Sequence, residues 1–369
     1  MPIYMDRHDV SETVTAEHVA QLHQEDLKIQ HKFNCKGLTY WFDGSRKMAF
    51  CLIEAPDEQC LIDMHDHAHG EIPNRIIEVD ANTVESFLGR IEDPHKTQKT
   101  KLNIINDPAF RTIMVTGLKQ FSLKIDESML LKTSIQKYNQ SAIKIIERFK
   151  GRIVKKNSDY FLVSFESVSD AIKCALKVQA EFKTWKDNIE DASVNLKIGL
   201  SAGIPVTEKE EIFEDTIKLA ERLYYISKAK IMVSAEVNDL YNSENLNVYM
   251  DGRLVKSLTP NDEKFLNRLM NYTEEKWKDS NLQVDDFGKH LGFSKSQIYR
   301  KMISLTGKSP NTFIKEYRLN RALKLFKMKK GNISEIAFET GFGSPSYFTK
   351  CFQKKFGLKP SDYLQTMEM

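Results

Sequence analysis

No run in this 369-residue chain approaches the eighteen or so apolar residues of a membrane span. The first residues, MPIYMDRHDV, lack the apolar core of a secretory signal, so a cytoplasmic location and no membrane partner are expected. Five cysteines (Cys35, Cys51, Cys60, Cys174, Cys351) are odd in number, scattered and free of any C-x-x-C. That spacing argues against a disulfide framework or a zinc knuckle and suits reduced, mostly buried thiols. A disorder signature is missing too: 41% hydrophobic and 28% charged residues is a globular balance, long enough for two or three domains. Net charge is small, only +3, but unevenly spread. From Asn261 onward 20 Lys+Arg face 12 Asp+Glu, a surplus of +8 that leaves −5 for the rest. A basic end on a mildly acidic body suits attraction of that end to phosphates, although a solvated, Lys-rich surface gives the same count.

Two helical hairpins occupy the basic end. In ISEIAFETGFGSPSYFTKCFQKKFGLKPSDY, Ile333, Ile336 and Ala337 keep helical spacing, Gly341 stops the helix, and Pro345 opens a second. Tyr347, Phe348, Cys351, Phe352 and Phe356 make the apolar face of that second helix. Ser344, Ser346, Thr349, Lys350, Gln353 and Lys354 are left to meet phosphates and base edges. LQVDDFGKHLGFSKSQIYRKMISLTGKSP repeats the arrangement, with Ser294 placed as N-cap and Lys295, Ser296, Gln297, Arg300 and Lys301 outward. Residues 310–328 form a long helix able to pack on both hairpins. Any amphipathic hairpin shows such periodicity; the wording is more specific. It resembles the AraC family of transcription regulators, including Arg318, Leu319 and Ala322 in the long helix. The resemblance implies a double helix-turn-helix over residues 261–369, with double-stranded DNA as partner.

Residues 1–82 read as strand, helix, two strands about the turn Asp43-Gly44-Ser45, helix and strand. This βαββαβ order is ferredoxin-like. Within it, MHDHAHG places His65 and His69 four apart on one helical face, where both imidazoles can bind one divalent metal; His67 projects elsewhere. His8 and Asp6 on the first strand are further candidate ligands. A polar helix end that favours protonated histidine is the alternative. PIYMDRHDV, TYWFD, AFCLIEAP and AHG also resemble a small ferredoxin-like family described as nickel-binding, which implies a metal such as nickel without saying which histidines hold it.

Residues 83–107, polar and poorly periodic, read as a linker, and residues 108–250 as a further α/β unit with a mostly antiparallel sheet. IVKKNSDYFLVSFESVSDAIKCALKVQAEF, LKIGLSAGIP and EDTIKLAERLYYISKAKIMVS resemble the class III nucleotidyl cyclase domain. In that family two aspartates hold two metal ions over the triphosphate. Here IMVTGLKQFS puts Gly117 where the first belongs, Asp159 stands as the second, and Lys218 and Arg222 occupy an Asn-x-x-x-Arg position. The resemblance therefore implies a pseudo-cyclase and not an enzyme. It either keeps a nucleotide cleft with Lys155, Lys156, Asp159 and Arg222 or serves only to dimerise, and plain surface charge accounts for these residues equally well.

The expected whole is a multidomain α+β plus all-α chain: a ferredoxin-like domain, a cyclase-like α/β sandwich and a double helix-turn-helix. Its expected function is sequence-specific transcription regulation, as a homodimer, with a metal or nucleotide effector. An active cyclase fused to DNA binding, and a metal-binding module with a secondary regulatory role, are the alternatives.

Overall fold

A computed structural model of the chain describes residues 1–95, 102–120, 129–157, 160–189, 194–246, 248 and 250–368. Strand β1 (Ile3–Asp9), helix α1 (Ala16–Ile29), strands β2 (Lys36–Asp43) and β3 (Met48–Glu54), helix α2 (Glu58–Ala68) and strand β4 (Arg75–Val79) follow the expected order. Thr15 and Asp57 start the two helices by accepting backbone N–H bonds. The strands form an antiparallel sheet ordered β2-β3-β1-β4. Strand alternation then sorts side chains between two layers. Ala49, Cys51 and Ile53 of β3 pack under α1 and α2, whereas Phe50 and Leu52 face the other way.

A helix, α3 (Ala81–Leu88), lies where the linker was expected. Asp80 caps it, and Val84, Phe87 and Leu88 are buried. Ile105 is buried as well, its N–H donating to Tyr40 Oη at 2.8 Å. Helix α3 and Ile105 are thus packed into the modules, the apolar residues of α3 falling at a helical spacing that a count of polar residues hides.

The second sheet contains β5 (Arg111–Gln120), β6 (Arg152–Lys156), β7 (Phe161–Phe165), β8 (Val194–Gly203), β9 (Ile231–Val233) and β10 (Val255–Ser257), ordered β10-β9-β8-β5-β7-β6. Among the described residues only β8-β9 and β9-β10 are parallel pairs. Strand β10 carries the sheet past residue 250, where the unit was expected to stop. Helices α4 (Met129–Arg148) and α5 (Val168–Asp187) cover one face over Met114, Val163 and Ile198. The other face presents Ile113, Val115 and Leu162, and these share a core with Met5, Trp41, Phe50 and Leu52 of the first sheet. Neither of these faces is left free for a second copy of the chain, so a homodimer has to use other surfaces.

Helix α6 (Glu214–Ile226) lies directly on β8: a Cβ at Gly199 would come within 2.3 Å of Tyr224 N and 2.4 Å of Ala220 O. Helix α7 (Ala235–Glu244) follows β9. The remaining helices are α8 (Pro260–Lys276), α9 (Val284–Leu291), α10 (Lys295–Thr306), α11 (Pro310–Lys327), α12 (Ile333–Glu339), α13 (Pro345–Phe356) and α14 (Pro360–Glu368). As expected, α11 serves both hairpins. Phe313 and Tyr317 join α8, α9 and α10, and Leu319, Ala322 and Phe326 join α12 and α13. Leu223 and Ile226 of α6 belong to the first of these cores. At Gly341, with φ +78°, a Cβ would lie 2.7 Å from Trp277 O, so the second hairpin's turn rests on the end of α8. No described helix is long and apolar enough to cross a membrane.

Because Phe50 is buried between two sheets, Phe50→Ala should lower the stability of the whole chain by about 3–5 kcal/mol in urea denaturation followed by circular dichroism. A loss below about 1 kcal/mol would show that the sheets do not share a core.

Candidate metal centre and nucleic-acid interface

Along β1, Asp6 and His8 alternate with Met5 and point to the helix-covered face, as Cys51 does from β3. His65 descends from α2 between them. His69, the C-cap residue of α2, and Asp26 on α1 close the other side. His65 Nε2 lies 3.0 Å from Asp6 Oδ2, and its Nδ1 3.1 Å from Asp26 Oδ1. His69 Nε2 is 3.3 Å from His65 Nδ1 and 3.2 Å from Asp26 Oδ1. His8 Nε2 is 3.4 Å from Asp6 Oδ1, close enough for attraction, yet it is buried without a hydrogen-bond partner among the described residues.

Candidate ligand atoms of Asp6, His8, Cys51 and His65 lie within 4.8 Å of one another, as do those of Asp26, His65 and His69. His65 belongs to both groups, His8 only to the first and His69 only to the second. His67 stays outside, exposed and bonded to Asp63 O at 2.9 Å. Asp26 and Cys51 were missed. A signal for Asp26 existed: Val19, His23 and Asp26 fall at i, i+4 and i+7 on the buried face of α1, where an unpartnered carboxylate would be costly.

Burial works to raise the Asp6 carboxyl, but His8 and His65 hold it well below the usual range. Asp26 is lowered against its burial in the same way, by His65 and His69. Burial opposes charge on His65, and the hydrogen bonds to Asp26 and Asp6 outweigh it, raising the imidazole to about 10. Without metal, His65 is therefore an imidazolium between two carboxylates, and a cation has to displace its proton. Burial pushes the Cys51 thiol up, so a thiolate there needs a cation beside it. Imidazole, carboxylate and thiol donors together fit a first-row divalent ion, and the orphaned His8 nitrogen supplies a free lone pair or N–H at the site. Access is through a cavity of about 580 Å³ bordered by His8, Cys51, His65 and His69.

At the other end of the chain, α10 and α13 present similar outer faces. Ser294 and Ser344 are N-caps, each accepting the N–H of the residue three further on. On α10, Lys295, Ser296, Gln297 and Arg300 are exposed and Lys301 is half-buried. Gln297 is less available than expected, because its side-chain oxygen accepts the Ser294 N–H at 2.8 Å. Lys295 pairs with Asp285 at 3.1 Å, and Lys301 lies over the Phe265 and Phe293 rings at 5.4 and 5.1 Å. On α13, Ser346, Lys350, Gln353 and Lys354 are exposed and Thr349 is half-buried.

Among the described residues, those expected to hold a nucleotide have other surroundings. Lys155 and Lys156 are exposed on the edge strand β6; Lys155 borders a groove with Glu78, Asp80, Glu210 and Glu211, which repel phosphate. Asp159 lies outside the described residues. Arg222 is buried and bonded to α8, to Asn267 Oδ1 at 2.6 Å and also to Asn271, with Glu274 3.5 Å away. Lys218 pairs with Glu214. Gly117 of β5 stands opposite Lys197 of β8, whose buried amine donates to Tyr225 O at 2.6 Å. Burial, Lys308 and Lys119 push that amine down to about 7.

Residues 287–366 match the family described as helix-turn-helix domain, and residues 4–79 the family described as nickel responsive protein SCO4226-like. The C-terminal part is an AraC-type helix-turn-helix domain. Among curated relatives, "Histidine kinase P4" of Formosa agariphila is 25% identical over 73% of this chain and 20% of its own length. "Transcriptional regulator SirC" of Salmonella typhimurium is 32% identical over 28% of this chain and 34% of its own length. The chain thus spans between a fifth and about a third of these relatives. A solved bacterial light-regulated adenylyl cyclase is similar over 65% of this chain and 85% of its own, with 15% identity and a TM-score of 0.29.

Since the His65 imidazole is raised from 6.5 to about 10 on folding, its pairing stabilises the metal-free chain fully below pH 6.5. That contribution is lost as pH rises through about 10. Melting of the metal-free protein should therefore fall more steeply between pH 7 and 10 for the wild type than for His65→Gln; parallel profiles would contradict the buried imidazolium.

Proposed function

We propose that the chain is a sequence-specific DNA-binding transcription regulator whose N-terminal module takes up a divalent metal as its effector. What carries the reading is the pair of exposed polar helix faces, α10 and α13, held on the single helix α11 within a match to helix-turn-helix domains. Arg300, Lys350, Gln353 and Lys354 are the groove residues, assisted by Ser296, Ser346 and Thr349. Asp6, His8, Cys51 and His65 are one candidate ligand set, through His65 Nε2, and Asp26, His65 and His69 the other, through Nδ1; the match to nickel responsive proteins supports nickel.

No cyclisation is assigned to the middle module. Gly117 offers no carboxylate, and Arg222 is committed to α8. This module instead joins the metal module to the reader.

Binding of the full chain to a duplex enriched from a random pool, followed by fluorescence anisotropy at fixed salt, tests the DNA assignment. Arg300→Ala should lose about five- to 150-fold in affinity, the equivalent of about 1–3 kcal/mol, and relax preference at one base pair. Unchanged affinity and preference in both Arg300→Ala and Gln353→Ala would reject these helices as readers. For the metal, calorimetry with Ni²⁺ and Zn²⁺ should show binding that strengthens from pH 6 to 8, as the His65 proton becomes easier to displace, and that His65→Ala with Asp6→Asn removes. Equal affinity in that double variant would reject the site.

A further inference from the structure

Helices α10 and α13 are each 12 residues long, begin after a serine N-cap and stop at a glycine with positive φ, Gly307 and Gly357. Aligning Ser294 with Ser344 pairs five exposed positions: Ser296 with Ser346, Gln297 with Tyr347, Arg300 with Lys350, Ile303 with Gln353, and Ser304 with Lys354; the sixth exposed residue of α10, Lys295, falls opposite the half-buried Pro345. The two helices therefore offer the same geometry with different chemistry. Ile303 is the apolar member of its face. It is 51% exposed and takes no part in the core that holds Ile298, Met302 and Leu305.

A lone exposed isoleucine is ordinary on a protein surface. Its place is what distinguishes this one. Ser296, Arg300 and Ile303 fall at i, i+4 and i+7 on one stripe, and Ile303 stands where α13 has Gln353. We propose that Ile303 reads sequence by packing on the 5-methyl group of a thymine, beside a guanine held by Arg300. On a major-groove floor of donors and acceptors the thymine methyl is the apolar feature, and Arg matches guanine O6 and N7. Three residues along a helix advance roughly 4.5 Å, so Ile303 reaches a base pair one or two steps from the guanine. At the equivalent position α13 carries Gln353, and Tyr347, expected on the apolar face, is exposed where α10 has Gln297, so the two half-sites differ in sequence. This rests on the DNA-binding reading above.

In a duplex enriched by the full-length wild type, each thymine is replaced in turn by deoxyuridine, which lacks only the methyl, and affinity is read by anisotropy at fixed salt. One replacement should weaken the wild type roughly fourfold, as expected for about 0.8 kcal/mol per buried methyl. Ile303→Ala, at an exposed position and checked for folding by circular dichroism, should lose sensitivity to that same replacement. Met328→Ala, exposed at the end of α11 and on neither recognition helix, should keep it. Selective wild-type binding with no deoxyuridine effect, or the same effect in Ile303→Ala, overturns the proposal and leaves DNA binding standing. Failure to enrich any duplex overturns DNA binding itself, and the proposal with it.

Discussion

Met5, Trp41, Phe50 and Leu52 leave the helix-free face of the first sheet apolar, and Ile113, Val115 and Leu162 of the second sheet share their core. Removing that partner would expose a large contiguous apolar patch, which soluble proteins rarely leave uncovered. The same dependence recurs one module further on, where Leu223 and Ile226 of α6 complete a core with Leu266, Phe287 and Phe313. Three modules are thus joined by two shared cores, and α11 joins the two hairpins by the same means. Interiors of this kind are close-packed and transmit displacement instead of absorbing it.

The proposed metal site sits one residue from the first of these cores. Met5 faces the shared core, and Asp6, its neighbour on β1, faces His65. A cation drawing Asp6, His8 and His65 together would act on a strand whose opposite side is packed against the middle sheet. At the far end of that sheet, Arg222 bonds α6 to Asn267 and Asn271, which lie one turn apart on α8. Contiguity alone does not create coupling; metal and DNA must each favour the same arrangement of these packed parts.

Much of this was legible in the residues. Alternation gave the βαββαβ order of the first module, and Ser294 and Pro345 marked the starts of α10 and α13. His65, singled out by its spacing from His69, lies in two clusters of candidate ligands, one with His8 and one with His69. What escaped was the second use of polar groups. Asp26 reads as a surface carboxylate until its place on the buried face of α1 is noticed, Gln297 reads as a base contact although it closes a capping box, and Arg222 reads as a phosphate ligand although α8 supplies its partners. These assignments depend on which helix packs where, and no local pattern in the chain states that. Helix α3 was hidden for a related reason, since its apolar residues bury only because two sheets meet there.

The coupling of metal to DNA is tested most directly by reciprocal binding: the Ni²⁺ affinity of the full chain, free and saturated with its enriched duplex, measured at one pH and salt. Linkage requires the metal to shift DNA affinity by the same factor by which DNA shifts metal affinity, typically about 5- to 150-fold. A matched shift of several-fold in both directions is the predicted result. Identical Ni²⁺ affinities with and without DNA would contradict it.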